Sequence, residues 1–344
     1  MSRDGVGIMA RTLAALPKAE LHIHVEGTLE PDLAFEIAQR NGISLPYRSP
    51  DELRDAYDFV DLQSFLDVYF VAGGALRTPR DFHDLAWAYL ERAHRDAVAH
   101  VELFFDPQAH LARGIALDEI VGGLSAALAE ARETWDMSGS LIACFLRDRP
   151  AADAMAVLEE IIELDSPDIV GVGLDSTEVG YPPALFRDVF ARAFEAGLHR
   201  VSHAGEEAPH TYIVEALDAL RIERVDHGVR AIDSPELIER LARDGVALTM
   251  CPLSNKRLHV TPDLRDHPIR ALVDQGVKVT INSDDPSYFG GYIADNYAAV
   301  REVLGLTDDE AAQFARTSID VSFAPPVRKA QLHALVDGWL ADEG

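Results

Sequence analysis

Short β-like runs alternate with longer amphipathic stretches along this 344-residue chain, and that alternation most restricts how it can fold. The β-like runs are 19–26, 98–106, 141–147, 168–175, 199–206, 224–229, 246–252 and 277–285. Several are nearly continuous apolar stretches, as parallel strands covered on both faces should be. Between them lie helix-like segments at 31–41, 81–96, 116–134, 151–164, 183–197, 211–220, 235–244 and 267–275. Pro31, Pro183 and Pro235 stand near helix starts, where a missing N–H costs little. Gly197, Gly245 and Gly276 follow helical patterns at the position that favours a left-handed residue. The pattern predicts an α/β fold, a (β/α)8 TIM barrel, with a helical insertion after strand 1 over 27–97 that caps the mouth. A doubly wound open sheet is the competing architecture. It is disfavoured because no glycine-rich dinucleotide fingerprint follows the first run. Internal repeats and linker-like composition are not evident, so residues 1–344 are expected to form a single domain.

Composition excludes several functions. Apolar residues make up 48% and charged residues 26%, which does not fit a disordered chain. With 31 Lys and Arg against 58 Asp and Glu, the net charge is −27. That field repels phosphate backbones and anionic lipid, so neither nucleic acid nor a membrane surface is an expected partner. Two cysteines, Cys144 and Cys251, cannot build a disulfide framework, and a reducing, cytoplasmic setting is expected. Met1–Leu16 lacks the apolar core and cleavage site of a secretion signal, and no apolar run approaches 18 residues.

The unusual residues gather at the ends of the β-like runs. His22 and His24 are one residue apart in the first run, so a strand period of two puts both imidazoles on one face. A single buried histidine is ordinarily a hydrogen-bonded core residue; two on one strand face favour a metal chelate. His203 (in Ser-His-Ala-Gly-Glu), His227 (in Val-Asp-His-Gly) and Asp284-Asp285 stand at later strand ends, which a barrel brings to one mouth. Unpaired polar groups there would cost several kcal/mol each, and an ion with a substrate supplies the partners. Zinc suits imidazole and carboxylate donors; iron, manganese and cobalt fit the same set. Glu206 is placed to move protons beside a metal-activated water, or else is a helix N-terminal acid. Asp284-Asp285 before Pro286 also reads as a turn. Glu20, Glu26 and Glu102 carry weaker signals. The Cys-x-x-Cys of small zinc nucleobase deaminases, the Gly-x-Ser-x-Gly elbow and the P-loop are absent.

These blocks resemble the adenosine/adenine deaminase family of the metal-dependent amidohydrolase superfamily. They are PKAELHIHVEG (17–27), GVGLDSTEVGYPP (171–183), HAGEE (203–207), ERVDHGVR (223–230), CPLSNKRL (251–258) and INSDDPSYFGGY (281–292). The resemblance implies a barrel hydrolase with one Zn2+ per chain, held by His22, His24, His203 and Asp284. It implies Glu206 as proton donor, His227 as the group orienting the attacking water and Asp285 as a purine contact. The blocks look closest to the adenine deaminase branch. Glu26 stands where adenosine deaminases usually carry an Asp that reaches the ribose, and its longer side chain is expected to fill the sugar's space. Ser176 and Glu178 are expected to contact the base. Gly73-Gly74, Lys256 and His259 depart from the branch; the glycines read either as a local kink or loop, or as a widened pocket. The implied reaction is hydrolytic deamination of a small-molecule 6-aminopurine, adenine to hypoxanthine plus ammonia. The alternatives are adenosine or an N6-substituted purine as substrate, and a purine-binding relative without turnover. A homodimer is expected only from common symmetry.

Overall fold

The computed structural model describes residues 11–60 and 62–342. Eight strands follow one another: β1 (Lys18–His24), β2 (Val98–Phe105), β3 (Ser138–Leu146), β4 (Ile169–Asp175), β5 (His199–Ala204), β6 (Arg224–His227), β7 (Ala247–Met250) and β8 (Lys278–Ile281). Each pairs in parallel with the next. The ring closes just past β8. There Asp284 bridges Ile23, the His24 N–H donates to the Asp284 carbonyl at 3.1 Å, and the Asp284 N–H donates to the His22 carbonyl at 3.1 Å. That closure makes the fold a (β/α)8 barrel and removes the open-sheet alternative.

Alternation along β1 shows how the sequence builds the barrel. Ala19, Leu21 and Ile23 point outward into the main core, which they share with helix residues such as Leu85 and Tyr89. His22 and His24 point inward, where both rings pack against Phe104 at 5.2 Å, His22 tilted and His24 edge-on. Phe104 belongs to a small interior layer with Ile142, Cys144 and Val201. Beneath it, Arg224 and Glu102 pair at 2.5 Å across the barrel, and Arg224 lies 4.1 Å over the Phe323 ring. The interior is therefore a filled stack of side chains with its polar histidine layer at the carboxyl end.

The insertion after β1 folds as α1 (Pro31–Arg40), α2 (Pro50–Asp55), α3 (Leu62–Gly73) and α4 (Pro79–Arg95). In α4, Phe82, Leu85, Ala86, Tyr89, Leu90 and Ala93 form one buried face, and Thr78 with Asp81 caps its start. In α3, Phe65, Leu66 and Tyr69 are buried. Of the readings of Gly73-Gly74, the structure favours the loop rather than a kink within a helix. The two glycines end α3, and the Gly74 N–H donates to the carbonyls of Phe70 and Val71.

Other predicted segments are subdivided. Segment 183–197 is a 3-10 turn, Pro183–Phe186, then a helix, Arg187–Glu195. Segment 211–220 is a short helix, His210–Glu215, running into a π turn. Helices Ile293–Leu304, Asp308–Val321 and Pro326–Ala341 complete the chain, and Asp308–Val321 packs on the seam between β8 and β1. No helix among the described residues is long and apolar enough to cross a membrane. Cys144 and Cys251 are free and buried. Most of Met1–Leu16, where the sequence showed no secretion signal, lies outside the described residues.

Candidate active site

Four donors converge at the carboxyl mouth. His22 and His24 come from β1, His203 from the penultimate position of β5, and Asp284 from the seam after β8. His24 Nε2 and His203 Nε2 stand 3.1 Å apart. Asp284 Oδ1 is 3.2 Å from His22 Nε2 and 3.5 Å from His24 Nε2. One ligand atom from each of the four lies within 4.8 Å of the others. The opposite ring nitrogens turn outward. His22 Nδ1 donates to the Thr249 carbonyl at 3.1 Å and to Thr249 Oγ1 at 3.0 Å, and that hydroxyl donates to Asp226 at 2.8 Å. His24 Nδ1 faces Asp175 at 3.6 Å, and His203 Nδ1 faces Asp226 at 3.7 Å. With Nδ1 carrying the proton, each Nε2 lone pair points at the common centre, as metal-bound imidazoles require.

Electrostatics fit the same arrangement. Burial pushes His24 down to about 4 and His203 well below its usual value, so both are neutral donors at pH 7. Burial would raise the Asp284 carboxyl, but His227, His22 and His24 outweigh it and hold Asp284 well below the usual range. His22 Nε2 has no hydrogen-bond partner among the described residues. Imidazole nitrogens 3.1 Å apart beside a buried carboxylate could hold a divalent cation. Cys251 also lies within reach of His22, His227 and Asp284, a proximity its place in the sequence did not signal. Its thiol faces the Thr249 carbonyl at 3.8 Å, and burial raises its pKa.

Beside this centre, Glu206 Oε2 is 3.4 Å from His227 Nε2, and His227 Nε2 is 3.7 Å from Asp284 Oδ2. Burial, then the charges of Asp284, Glu207 and Glu178, push the Glu206 carboxyl well above its usual value. Burial pushes His227 down to about 3, leaving a neutral ring whose Nδ1 meets the Asn255 amide at 3.3 Å. Three non-glycine residues here sit at left-handed φ: Ser176 at 69°, His227 at 61° and Asp284 at 66°. Such backbone is costly, and the surrounding structure holds it where side chains must be aimed.

His24, His203, Glu206, His227, Asp284 and Asp285 line one cavity of about 440 Å³, counting the space at its mouth. The size suits a small organic ligand. Leu62, Phe65, Leu66, Tyr69 and Phe70 of α3 roof it together with Phe289, so the expected cap is present. Ser176 lines it with its hydroxyl unpartnered among the described residues.

Two expected contacts lie elsewhere. Glu178 is not in the cavity wall; its carboxylate accepts the backbone N–H groups of Gly205, Glu206, Glu207 and Ala208. Glu26 is also outside the wall, because His110 at 2.7 Å and the Asp106 N–H at 3.1 Å hold its carboxylate. Gly73 does not line the cavity, and Lys256 and His259 are exposed. The sequence reading passed over Asp106 and Asp175, which do line it. Asp175 ends β4, Asp106 follows β2, and the Tyr69 hydroxyl donates to Asp106 at 3.2 Å. Their strand-end positions were the available signal.

A closed parallel barrel that gathers three histidines and an aspartate beside a buried glutamate at its carboxyl mouth fits the architecture of a metal-dependent hydrolase. The family model for adenosine deaminase matches residues 17–339. The chain is 53% identical over 329 residues to the adenine deaminase of Cupriavidus necator, covering 96% of this chain and 93% of that protein. It is 56% identical over 312 residues to the adenine deaminase of Streptomyces coelicolor, covering 90% and 91%. The crystal structure of an adenine deaminase from Arthrobacter aurescens superposes with a TM-score of 0.93 at 49% identity, over 94% of this chain and 99% of that one. An amidohydrolase from Burkholderia ambifaria, solved with bound Zn, superposes at 0.88 with 28% identity over 99% and 98%. The chain belongs to the adenosine deaminase family.

Proposed function

We propose that the chain catalyses the zinc-dependent hydrolytic deamination of adenine to hypoxanthine and ammonia. The observation that carries the reading is a buried Glu206 carboxyl facing the same cavity as three imidazoles and the Asp284 carboxylate. Relatives named adenine deaminase at 49–56% identity support adenine as substrate, and the Zn-bound relative supports zinc.

His22, His24, His203 and Asp284 would hold the ion. When bound there, the ion would supply a hydroxide nucleophile at neutral pH, since coordination to zinc lowers the pKa of water from 15.7 to roughly 7. Glu206 gives its proton to N1 of the purine, which makes C6 electrophilic. The neutral His227 ring, between Glu206 and Asp284, orients the attacking oxygen. The C6–O bond forms; the exocyclic nitrogen then takes the proton of the new C6 hydroxyl, relayed by the Glu206 carboxylate, the C6–N bond breaks and ammonia leaves, while N1 keeps the proton that Glu206 gave. Asp285 fixes the imidazole edge of the base, through N7, and the Ser176 hydroxyl hydrogen-bonds the ring. Attack requires a near-approach of about 3–3.5 Å, which the fixed base provides.

The cavity wall carries carboxyl and imidazole groups and, among the described residues, neither Lys nor Arg. A phosphorylated substrate would lack a counter-charge there, whereas an uncharged purine needs none. The chain works as one unit in the cytoplasm, as a homodimer. Glu206→Gln tests the reading. Turnover of adenine is expected to fall by about 10²–10⁴ while the metal is retained. Wild-type turnover in that variant contradicts the assignment.

A further inference from the structure

The proposed proton donor is held almost entirely by its backbone. Glu206 Oε1 has no hydrogen-bond partner among the described residues, and Oε2 comes no closer than 3.4 Å to His227. Where the carboxyl points is therefore decided by the loop after β5. That loop turns at Gly205, φ 69°, where a Cβ would come within 2.5 Å of Ile213. It is gripped from two sides. Glu178 Oε1 accepts the Gly205 N–H at 2.6 Å, and Oε2 accepts those of Glu206, Glu207 and Ala208 at 3.1, 3.0 and 2.9 Å. Arg147 donates through Nη1 to the His203 carbonyl at 2.7 Å and through Nε to the Tyr181 carbonyl at 3.0 Å. Glu178 is 1% exposed and stands outside the cavity wall, so no substrate is needed to account for its charge.

We propose that Glu178 is the positioning residue of the reaction: by binding four successive amide N–H groups it fixes the direction in which Glu206 presents its proton. The inference rests on Glu206 being the proton donor. A carboxylate has two acceptor oxygens and enough lone pairs for four donors, whereas an amide side chain has one acceptor oxygen and an NH₂ group that opposes the backbone donors. Charge and acceptor number are both needed.

A double-mutant cycle on the full, zinc-loaded chain, with adenine as substrate, tests this. Glu178→Gln is expected to lower kcat about 100-fold, with KM changed less than about threefold and one metal still bound per chain. Glu178→Asp, which keeps the charge on a shorter arm, is expected to recover part of that loss. In a Glu206→Gln background, adding Glu178→Gln should change kcat by less than about threefold, because the group it aims is already gone. If Glu178→Gln does not fold, Glu178→Asp takes its place in the cycle. Losses that multiply in the double variant, or a loss that appears in KM or metal content, overturn the positioning role and leave the Glu206 assignment standing. Wild-type turnover in Glu206→Gln alone overturns the proton-donor reading instead.

Discussion

Asp285 and Gly27 nearly touch. A Cβ built on Gly27 would stand 1.9 Å from Asp285 Oδ1 and 2.7 Å from its Cβ, so any side chain there must displace Asp285. Gly27→Ala is therefore expected to raise KM for adenine about tenfold with metal content unchanged, as loss of one hydrogen bond to substrate would. An unaltered KM measured by steady-state kinetics would remove Asp285 from the purine contact. The same residue scale shows what the sequence could tell. His22 and His24 were legible because a strand has a period of two, and His203, His227 and Asp284 because strand ends meet at a barrel mouth. Glu178 was misread because it lies in a loop, where no period fixes side-chain direction; four amides, and no ligand, claim its charge. Glu26 was misread for a related reason: its partner, His110, is distant in sequence and belongs to no motif. Asp106 and Asp175 carried the same strand-end signal and were passed over as single acids.

Elements were easier to find than to bound. All eight strands lie within or beside the runs read from apolar patterning, because strands covered on both faces must be apolar. The run at 277–285 was read too long. β8 ends at Ile281, after which Asn282, Ser283 and Asp284 leave the ladder to close the seam and form the site. The helices after Ile293 lie beyond the last strand, so the strand-to-helix rhythm gave them no place.

One inter-element contact carries a stability prediction. Glu102 of β2 and Arg224 of β6 pair across the barrel interior at 2.5 Å, both buried. Burial alone would raise the Glu102 carboxyl. Arg224, then His100 and the Phe323 N–H, outweigh that and hold it at about 2, below the ordinary value of 4.5. A depressed folded-state pKa gives stability that is full above the unfolded value and lost as pH falls through the folded one. The window is pH 4.5 down to about 2, and the amount is on the order of 3 kcal/mol. Glu102→Gln leaves Arg224 buried without its carboxylate, so it should cost about 3–5 kcal/mol at pH 7 and flatten this part of the acid dependence. Urea unfolding of both proteins at pH 7, 4.5 and 3 reads the difference. Equal losses in parent and variant below pH 4.5 would contradict it.

Across the whole molecule, a net charge of −27 surrounds one cavity whose wall, among the described residues, has no Lys or Arg. The surface repels polyanions while the interior gathers donors for one cation, so the chemistry depends on the ion. Removing it with a chelator should abolish turnover, added Zn2+ should restore it, and elemental analysis should find about one metal per chain. Full activity in metal-free protein would contradict this. The central claim is that the cavity deaminates a free purine base. Its most direct test is the hypoxanthine-forming rate of zinc-loaded protein with adenine, followed by ultraviolet absorbance beside an identical assay with adenosine. The account predicts kcat/KM for adenine more than about 100-fold above that for adenosine. Equal or greater turnover of adenosine, or none of either, would contradict it.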